Sequence, residues 1–361
     1  MLTALAATRG LGMIVPYVLV GSVAIPVSRT FLVIMVAVFG GTAGLAVGSW
    51  AVPVTAGMAA ALVVLTRQVA RLEGVDSPRS WWLRAERAGS ILRFALPRTV
   101  SVALEQSLLW LDVVLVGTLA GTAAAGIYGG ASRLIAAGFV VDTAIRVVVS
   151  PRFSRFLHEG RLAQLQDLYR TAAVWLVLFA TPVYLVLGIF APTVLSWLGS
   201  GFVAGSAALL ILSVGSIITI MAGNIHSVLL MSGHSGWAAF NKLIVLILNV
   251  IGNIVLVPWI GIAGAGLAWT VSMMTDALLA SIEVRYLVGI RIEPRAVGYA
   301  ALVPLLTVGG TALIMQAVLG RDDLIGLGFS VLVGGVLLLA WCGLDRRRLH
   351  LDVSRRGFRK V

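Results

Sequence analysis

Residues 243–260 read LIVLILNVIGNIVLVPWI, eighteen consecutive positions with no charge and no alternation of polar and apolar side chains. Residues 179–195, FATPVYLVLGIFAPTVL, have the same character. An apolar run of about 20 residues matches what an α-helix needs to cross the hydrocarbon core. Lipid offers no partner to backbone N–H and C=O groups, so a spanning segment is either a helix or part of a closed barrel. Barrel strands alternate polar and apolar over about ten residues. These runs do not alternate, which decides for helices.

The whole chain carries the same signature. Of its 361 residues 59% are hydrophobic and only 12% charged, and the mean hydropathy is +1.01. A soluble domain carries about 25% charge. The surface-to-volume ratio of a soluble fold this size leaves too little interior for so much apolar surface. An all-α polytopic membrane protein follows. The formal net charge of +12 comes almost entirely from Arg. Basic residues collect in the cytoplasmic loops of membrane proteins, so this charge is read as topology, and no nucleic-acid partner is expected. The single cysteine, Cys342, excludes an intramolecular disulfide. The first apolar stretch contains Pro16 and Pro26 and lacks a small-x-small cleavage site, so it is not read as a signal peptide.

Reading the apolar runs between charges predicts ten spans, at roughly 15–38, 44–66, 95–118, 124–149, 171–191, 205–231, 236–257, 262–284, 297–319 and 324–344. The charges between them alternate by side. Arg67, Arg71, Arg79, Arg84 and Arg87 follow the second span, and Arg152, Arg155, Arg161 and Arg170 follow the fourth. Lys242 borders the sixth loop, Arg285, Arg291 and Arg295 lie in the eighth, and a run of arginines from Arg346 fills the tail. The odd-numbered loops hold one basic residue, Arg321, beside Asp322 and Asp323. A multi-pass protein of the cytoplasmic membrane, with both termini cytoplasmic, is the topology this predicts.

One internal echo is visible. Gly41-Thr42-Ala43-Gly44-Leu45-Ala46, between spans one and two, resembles Gly261-Ile262-Ala263-Gly264-Ala265-Gly266, between spans seven and eight, at an offset of 220 residues. Each turn leads into a helix bearing a Trp, Trp50 or Trp269. Helical transporters are often built from repeated halves. If this is such a repeat, the first half lacks about four helices found in the second, and residues 1–8 are the stub of the last of them.

Several local patterns resemble a known superfamily. Phe94-Ala95-Leu96-Pro97, Leu111-Asp112, Gly126-Ile127-Tyr128, Ala131-Ser132-Arg133-Leu134 and Ser150-Pro151 resemble the seventh and eighth helices of polysaccharide flippases. Asn249-x-x-x-Asn253, Pro258, Gly261 and Gly264-Ala265 resemble the eleventh and twelfth. These flippases belong to the multidrug/oligosaccharidyl-lipid/polysaccharide (MOP) exporter superfamily, together with the lipid II flippase and the multidrug and toxin extruders. The resemblance implies a two-lobe MOP/MATE-like transporter fold with an incomplete first lobe. It divides the chain into a truncated N-lobe (1–71), a cytoplasmic linker (72–93), a six-helix C-lobe (94–290), two additional C-terminal helices (296–344) and a basic tail (345–361). The substrate it implies is a lipid-linked, polyprenyl-pyrophosphate oligosaccharide or polysaccharide precursor, flipped by alternating access. Membrane lipids and glycan-assembly membrane proteins are the other partners it brings. A multidrug cation antiporter is the alternative within transport. An inactive fragment or structural subunit is the alternative outside it.

Ionisable residues inside spans are the functional candidates, because isolating one in lipid costs at least about 2.5–3.5 kcal/mol. A pyrophosphate-linked sugar needs cations, and the planar guanidinium donates two bonds at once. Arg133 falls where the lipid II branch has a pyrophosphate-binding arginine; the alternatives are a pair with Asp112 or a snorkelling side chain. Arg29 aligns with Asn249 through the repeat and is either a cavity residue or a snorkelling one. Asn249 and Asn253, one turn apart, either touch sugar hydroxyls or hold helices together. Glu105 and Asp112, seven apart on one face, either bind a coupling cation or proton or balance Arg133. Asp276 shares a face with Glu283, lies deeper, and joins Glu105 and Asp112 as a candidate for ion coupling or charge balance. Asp142 and Arg146 are one turn apart and read as a self-neutralised pair. Asn224 and His226 stand isolated, and His226 lacks metal-ligand spacing, so it reads as structural. No nucleotide loop, metal cluster or catalytic constellation is found, so neither enzyme activity nor a cofactor is expected. The segment 72–93, with Trp81 and Trp82, reads as interfacial, and the tail as a topology anchor or a lipid-headgroup contact.

Overall fold

The computed structural model describes residues 4–5, 7–8, 15, 17–73, 85–319, 324–346, 348–349 and 351. Among them no strand occurs. Two compact units, Met1–Arg87 and Ala88–Val361, divide the chain.

In the first unit a π-helical stretch, Tyr17–Ala24, continues into α1 (Ile25–Val38), and α2 (Ala43–Glu73) packs beside it. The change of winding falls at Pro26, whose missing N–H removes one helical hydrogen bond. The same thing happens near the other end of the chain. There α11 (Pro294–Pro304) ends on a proline and passes into a π-helical stretch, Leu305–Gly309, before α12 (Gly310–Leu319).

The second unit begins with α3 (Ala85–Ala120), α4 (Thr122–His158) and α5 (Leu162–Ile189). A short α6 (Ala191–Ser196) and a 3-10 turn, Ser200–Gly205, lead to α7 (Ser206–Ile220) and α8 (Ile225–Met231). The long pair α9 (Ser235–Ile260) and α10 (Ile262–Leu287) follows, then α11, α12 and α13 (Leu324–Leu344). Each of the ten expected spans falls on helix, the sixth with an interruption. Nine helical stretches among the described residues have the length and apolarity to cross a membrane. The expected third span lies in α3, where only Trp110–Ala120 stands out as an apolar segment.

The expected sixth span is not one helix. It breaks at residues 221–224, between α7 and α8. Gly223 takes φ +61° there, and a Cβ on it would lie 2.6 Å from that of Ala173. The break frees the carbonyl of Ala222, and the buried Tyr169 hydroxyl of α5 donates to it at 2.5 Å. Irregular backbone at membrane depth survives where protein covers it, and here it is covered.

The core of this unit lies around α5, which packs against α4, α7 and α11. Its apolar window is 56% buried, against 22% for α9. The helices at the periphery are turned inside out. On α9 the buried stripe is Asn241, Val245, Asn249, Asn253 and Val257, four residues apart, while Ile247, Ile251, Ile254 and Trp259 are exposed. Such a helix suits lipid outside and polar partners inside. Outside the spans, Glu159 follows α4. The hydrogen bond from Arg155 holds its carboxyl below the usual carboxylate range.

Small residues let the helices approach. A Cβ on Gly252 would stand 2.8 Å from that of Ala268, so α9 and α10 meet at close range there. Gly252→Ala is expected to destabilise the protein by about 1–3 kcal/mol through overpacking, and Ala268→Gly to restore most of that loss. Equilibrium unfolding in mixed micelles measures both; additive losses in the double variant would contradict this contact.

Candidate functional site

Asp112 enters the membrane-depth part of α3 and is only 3% exposed. A carboxylate there must find its donors on other helices. Tyr128 of α4 donates its hydroxyl to Oδ2 at 3.2 Å, and Asn253 of α9 donates Nδ2 to Oδ1 at 2.9 Å. Asn253 Nδ2 also reaches the Asn249 carbonyl at 2.9 Å and, at 3.4 Å, the Asn249 side-chain oxygen. Asn249 and Asn253 are fully buried. Both donors to Asp112 are neutral, and Asn253 Oδ1 and Asn249 Nδ2 make no described hydrogen bond. The result is a carboxylate and two carboxamides gathered from two helices, with a phenol from a third. Rotating either amide would present a further oxygen to the same point.

The sequence expectation separated these residues, with Asn249 and Asn253 for the sugar and Asp112 for an ion. The structure brings them together. Glu105, the other acid of that face, has a side chain outside the described residues. Arg133 does not pair with Asp112. It is exposed, and its guanidinium lies 5.5 Å from the centroid of the Trp110 ring, a cation–π contact between α4 and α3. Arg29, in the first unit, sits half-buried over Trp50 at 4.4 Å, and its Nε makes no described hydrogen bond. Residues 74–84, with the expected interfacial Trp81 and Trp82, and residues 352–361 of the tail lie outside the described residues.

A second polar network lies further along α9. Asn241 and Asn253 are twelve residues apart, roughly 18 Å at 1.5 Å per residue. There Asp276 of α10 accepts from Lys242 of α9 at 2.5 Å and meets His226 of α8 at 3.0 Å. Asn241 donates to Glu283 of α10 at 2.7 Å. On α4, Asp142 forms the expected ion pair with Arg146 and also accepts from Asn224, in the α7–α8 break, at 2.7 Å. Sequence reasoning treated Lys242 as a loop marker and set His226 and Asn224 aside. One signal was present for Asn241: it begins the four-residue stripe that carries Asn249 and Asn253. Nothing local marked His226.

The Asp112 network makes a direct prediction. Tyr128→Phe deletes one donor to a buried carboxylate and is expected to cost about 1.5–3 kcal/mol. Thermal and equilibrium unfolding of the purified variant check this; a change below about 0.5 kcal/mol would deny the bond its role.

Comparison with known proteins agrees with this architecture. The family model described as Lipid II flippase MurJ matches residues 22–303. Among curated proteins, the probable low-salt glycan biosynthesis flippase Agl15 of Haloferax volcanii is 23% identical over 226 residues, covering 62% of this chain and 48% of that protein. The chain thus spans about half the length of that relative. A solved structure of the lipid II flippase MurJ in an inward closed conformation superposes with a TM-score of 0.67 at 11% identity, covering 92% of this chain and 68% of that one. At that identity the superposition speaks for the fold. The family match extends over most of the chain, from α1 through α11, and on that ground this protein belongs to the lipid II flippase MurJ family.

Proposed function

We propose that this chain is a non-enzymatic transporter that flips a polyprenyl-pyrophosphate-linked glycan precursor across the cytoplasmic membrane by alternating access, with a small cation as the coupling species. Membership of a flippase family supports the substrate class, and a glycan flippase among its relatives supports it further. One observation carries the coupling: Asp112, a buried carboxylate held by neutral donors, stands where three helices meet in an otherwise apolar environment. An uncompensated carboxylate at this depth is costly, and a cation bound beside it would remove that cost. Asn249 and Asn253 complete an oxygen-bearing donor set of the kind hard cations take. Binding there would tie α3 to α9, and release would loosen them.

Arg133 is the residue we assign to the pyrophosphate. Its guanidinium is exposed and braced on the face of Trp110, so the edge that donates to phosphate oxygens stays free of the ring. Arg29, braced in the same way on Trp50, is assigned the same chemistry in the first unit. The six-helix segment 94–290 is proposed as the C-lobe, with 296–344 as an accessory helix pair. Both termini are proposed to be cytoplasmic, as the arginine-rich loops imply. Glycan-assembly membrane proteins are the proposed neighbours.

Two measurements test this reading. Arg133→Ala is expected to weaken binding of a polyprenyl-pyrophosphate saccharide to the purified full chain at least tenfold, about 1.4 kcal/mol, without changing its thermal stability; unchanged binding would remove Arg133 from the site. Added Na+ is expected to raise the unfolding free energy of the wild type by about 1.4 kcal/mol per tenfold concentration above the dissociation constant. Asp112→Asn is expected to abolish that dependence. The same salt response in both proteins would exclude Asp112 as the cation ligand.

A further inference from the structure

The network at the other reach of α9 has no part in the cation and phosphate chemistry above. Three titratable side chains from three helices converge there on one oxygen. His226 Nε2 lies 3.0 Å and Lys242 Nζ 2.5 Å from Asp276 Oδ2. The Asp276 side chain is 4% exposed, Lys242 13% and His226 35%, so the imidazole is the most accessible member. The buried Oδ1 of Asp276 makes no described hydrogen bond. We propose that His226, Asp276 and Lys242 form a proton-binding site in which the imidazole of His226 takes up the proton.

The chemistry follows from the contacts. An ionised carboxylate only accepts, so Nε2 carries the hydrogen of the His226–Asp276 bond and Nδ1 holds the basic lone pair. Uptake forms one N–H bond at Nδ1, breaks none in the protein, and takes its proton from water. Before uptake the charges of Asp276 and Lys242 cancel. Afterwards one carboxylate serves two cations, and the unpartnered Oδ1 can accept one of them separately. Of the three side-chain types, imidazole is the one whose charge ordinarily changes closest to neutrality.

The groups around His226 fit a site that gains one positive charge. On α10, Glu283 interacts electrostatically with His226 and is held by Asn241. On α4, Asp142 and Arg146 neutralise each other. His234, in the turn between α8 and α9, bonds Ser232 at 3.0 Å. From α5, Tyr169 is engaged with the Ala222 carbonyl. Glu283 is therefore the nearby negative charge left to balance the added proton. His226 stands on α8, which begins directly after the irregular backbone at 221–224.

Nuclear magnetic resonance of the full chain, labelled with 15N-histidine in detergent micelles, tests the site without requiring transport. The His226 signal is identified by its loss in His226→Gln. Its ring-nitrogen shifts are expected to pass from those of a neutral to those of a protonated imidazole as the pH is lowered. Asp276→Asn is expected to lower the midpoint by at least one pH unit, a tenfold loss of proton affinity, and Lys242→Gln to raise it. Asp276→Asn strands the Lys242 charge and risks misfolding; Lys242→Gln keeps the His226–Asp276 pair and decides the matter by itself. An imidazole that stays neutral down to pH 5, or a midpoint unmoved in Lys242→Gln, would overturn the proposal.

Discussion

A charged or amide side chain at hydrocarbon depth must find its partners within the protein, and the second unit is organised around that constraint. Asp112 draws Tyr128 from α4 and Asn253 from α9. Asp276 draws Lys242 from α9 and His226 from α8. Helix α9 takes part in both joints because its buried stripe repeats every four residues and three of those five positions are asparagine. Lipid reverses the usual arrangement of an amphipathic helix: isoleucines face outward and amides inward. There is no hydrophobic gain in bringing two apolar faces together in lipid, so these polar joints and the close contacts at glycine determine which helices pair.

The α7–α8 break belongs to the same logic. Freed backbone groups must be met, and Tyr169 meets the Ala222 carbonyl while Asn224 turns its amide to Asp142. Two helices, α5 and α4, are thereby tied to four residues of irregular backbone. A continuous helix through 205–231 would have left Asp142 without that amide and placed His226 on a different bearing. The break therefore costs local regularity and makes the polar cluster around Asp276 attainable.

Parts of the site were legible in the chain and parts were not. The Asp142–Arg146 pair was readable because helical spacing alone brings residues four apart onto one face. That Asp112, Asn249, Asn253 and Asp276 would need partners was readable because polar groups in apolar runs are costly. Their partnerships were not. Asp112 and Asn253 are 141 residues apart, and Lys242 and Asp276 are 34 apart. Lys242 resembled a loop charge because it stands near the start of an apolar run, but α9 begins seven residues earlier, at Ser235, and buries it. Arg133 had two candidate partners by sequence, and the ring of Trp110 was not among them.

What the sequence determined by itself is the fold class, an all-helical polytopic membrane protein. Hydropathy and charge are sums over neighbouring residues, and the membrane responds to those sums segment by segment. What only the tertiary structure decided is which buried polar group answers which. That choice depends on helix rotation, on the approach allowed by residues such as Gly252, and on the break at 221–224. Each is a property of the packed helices together, and no single span carries it.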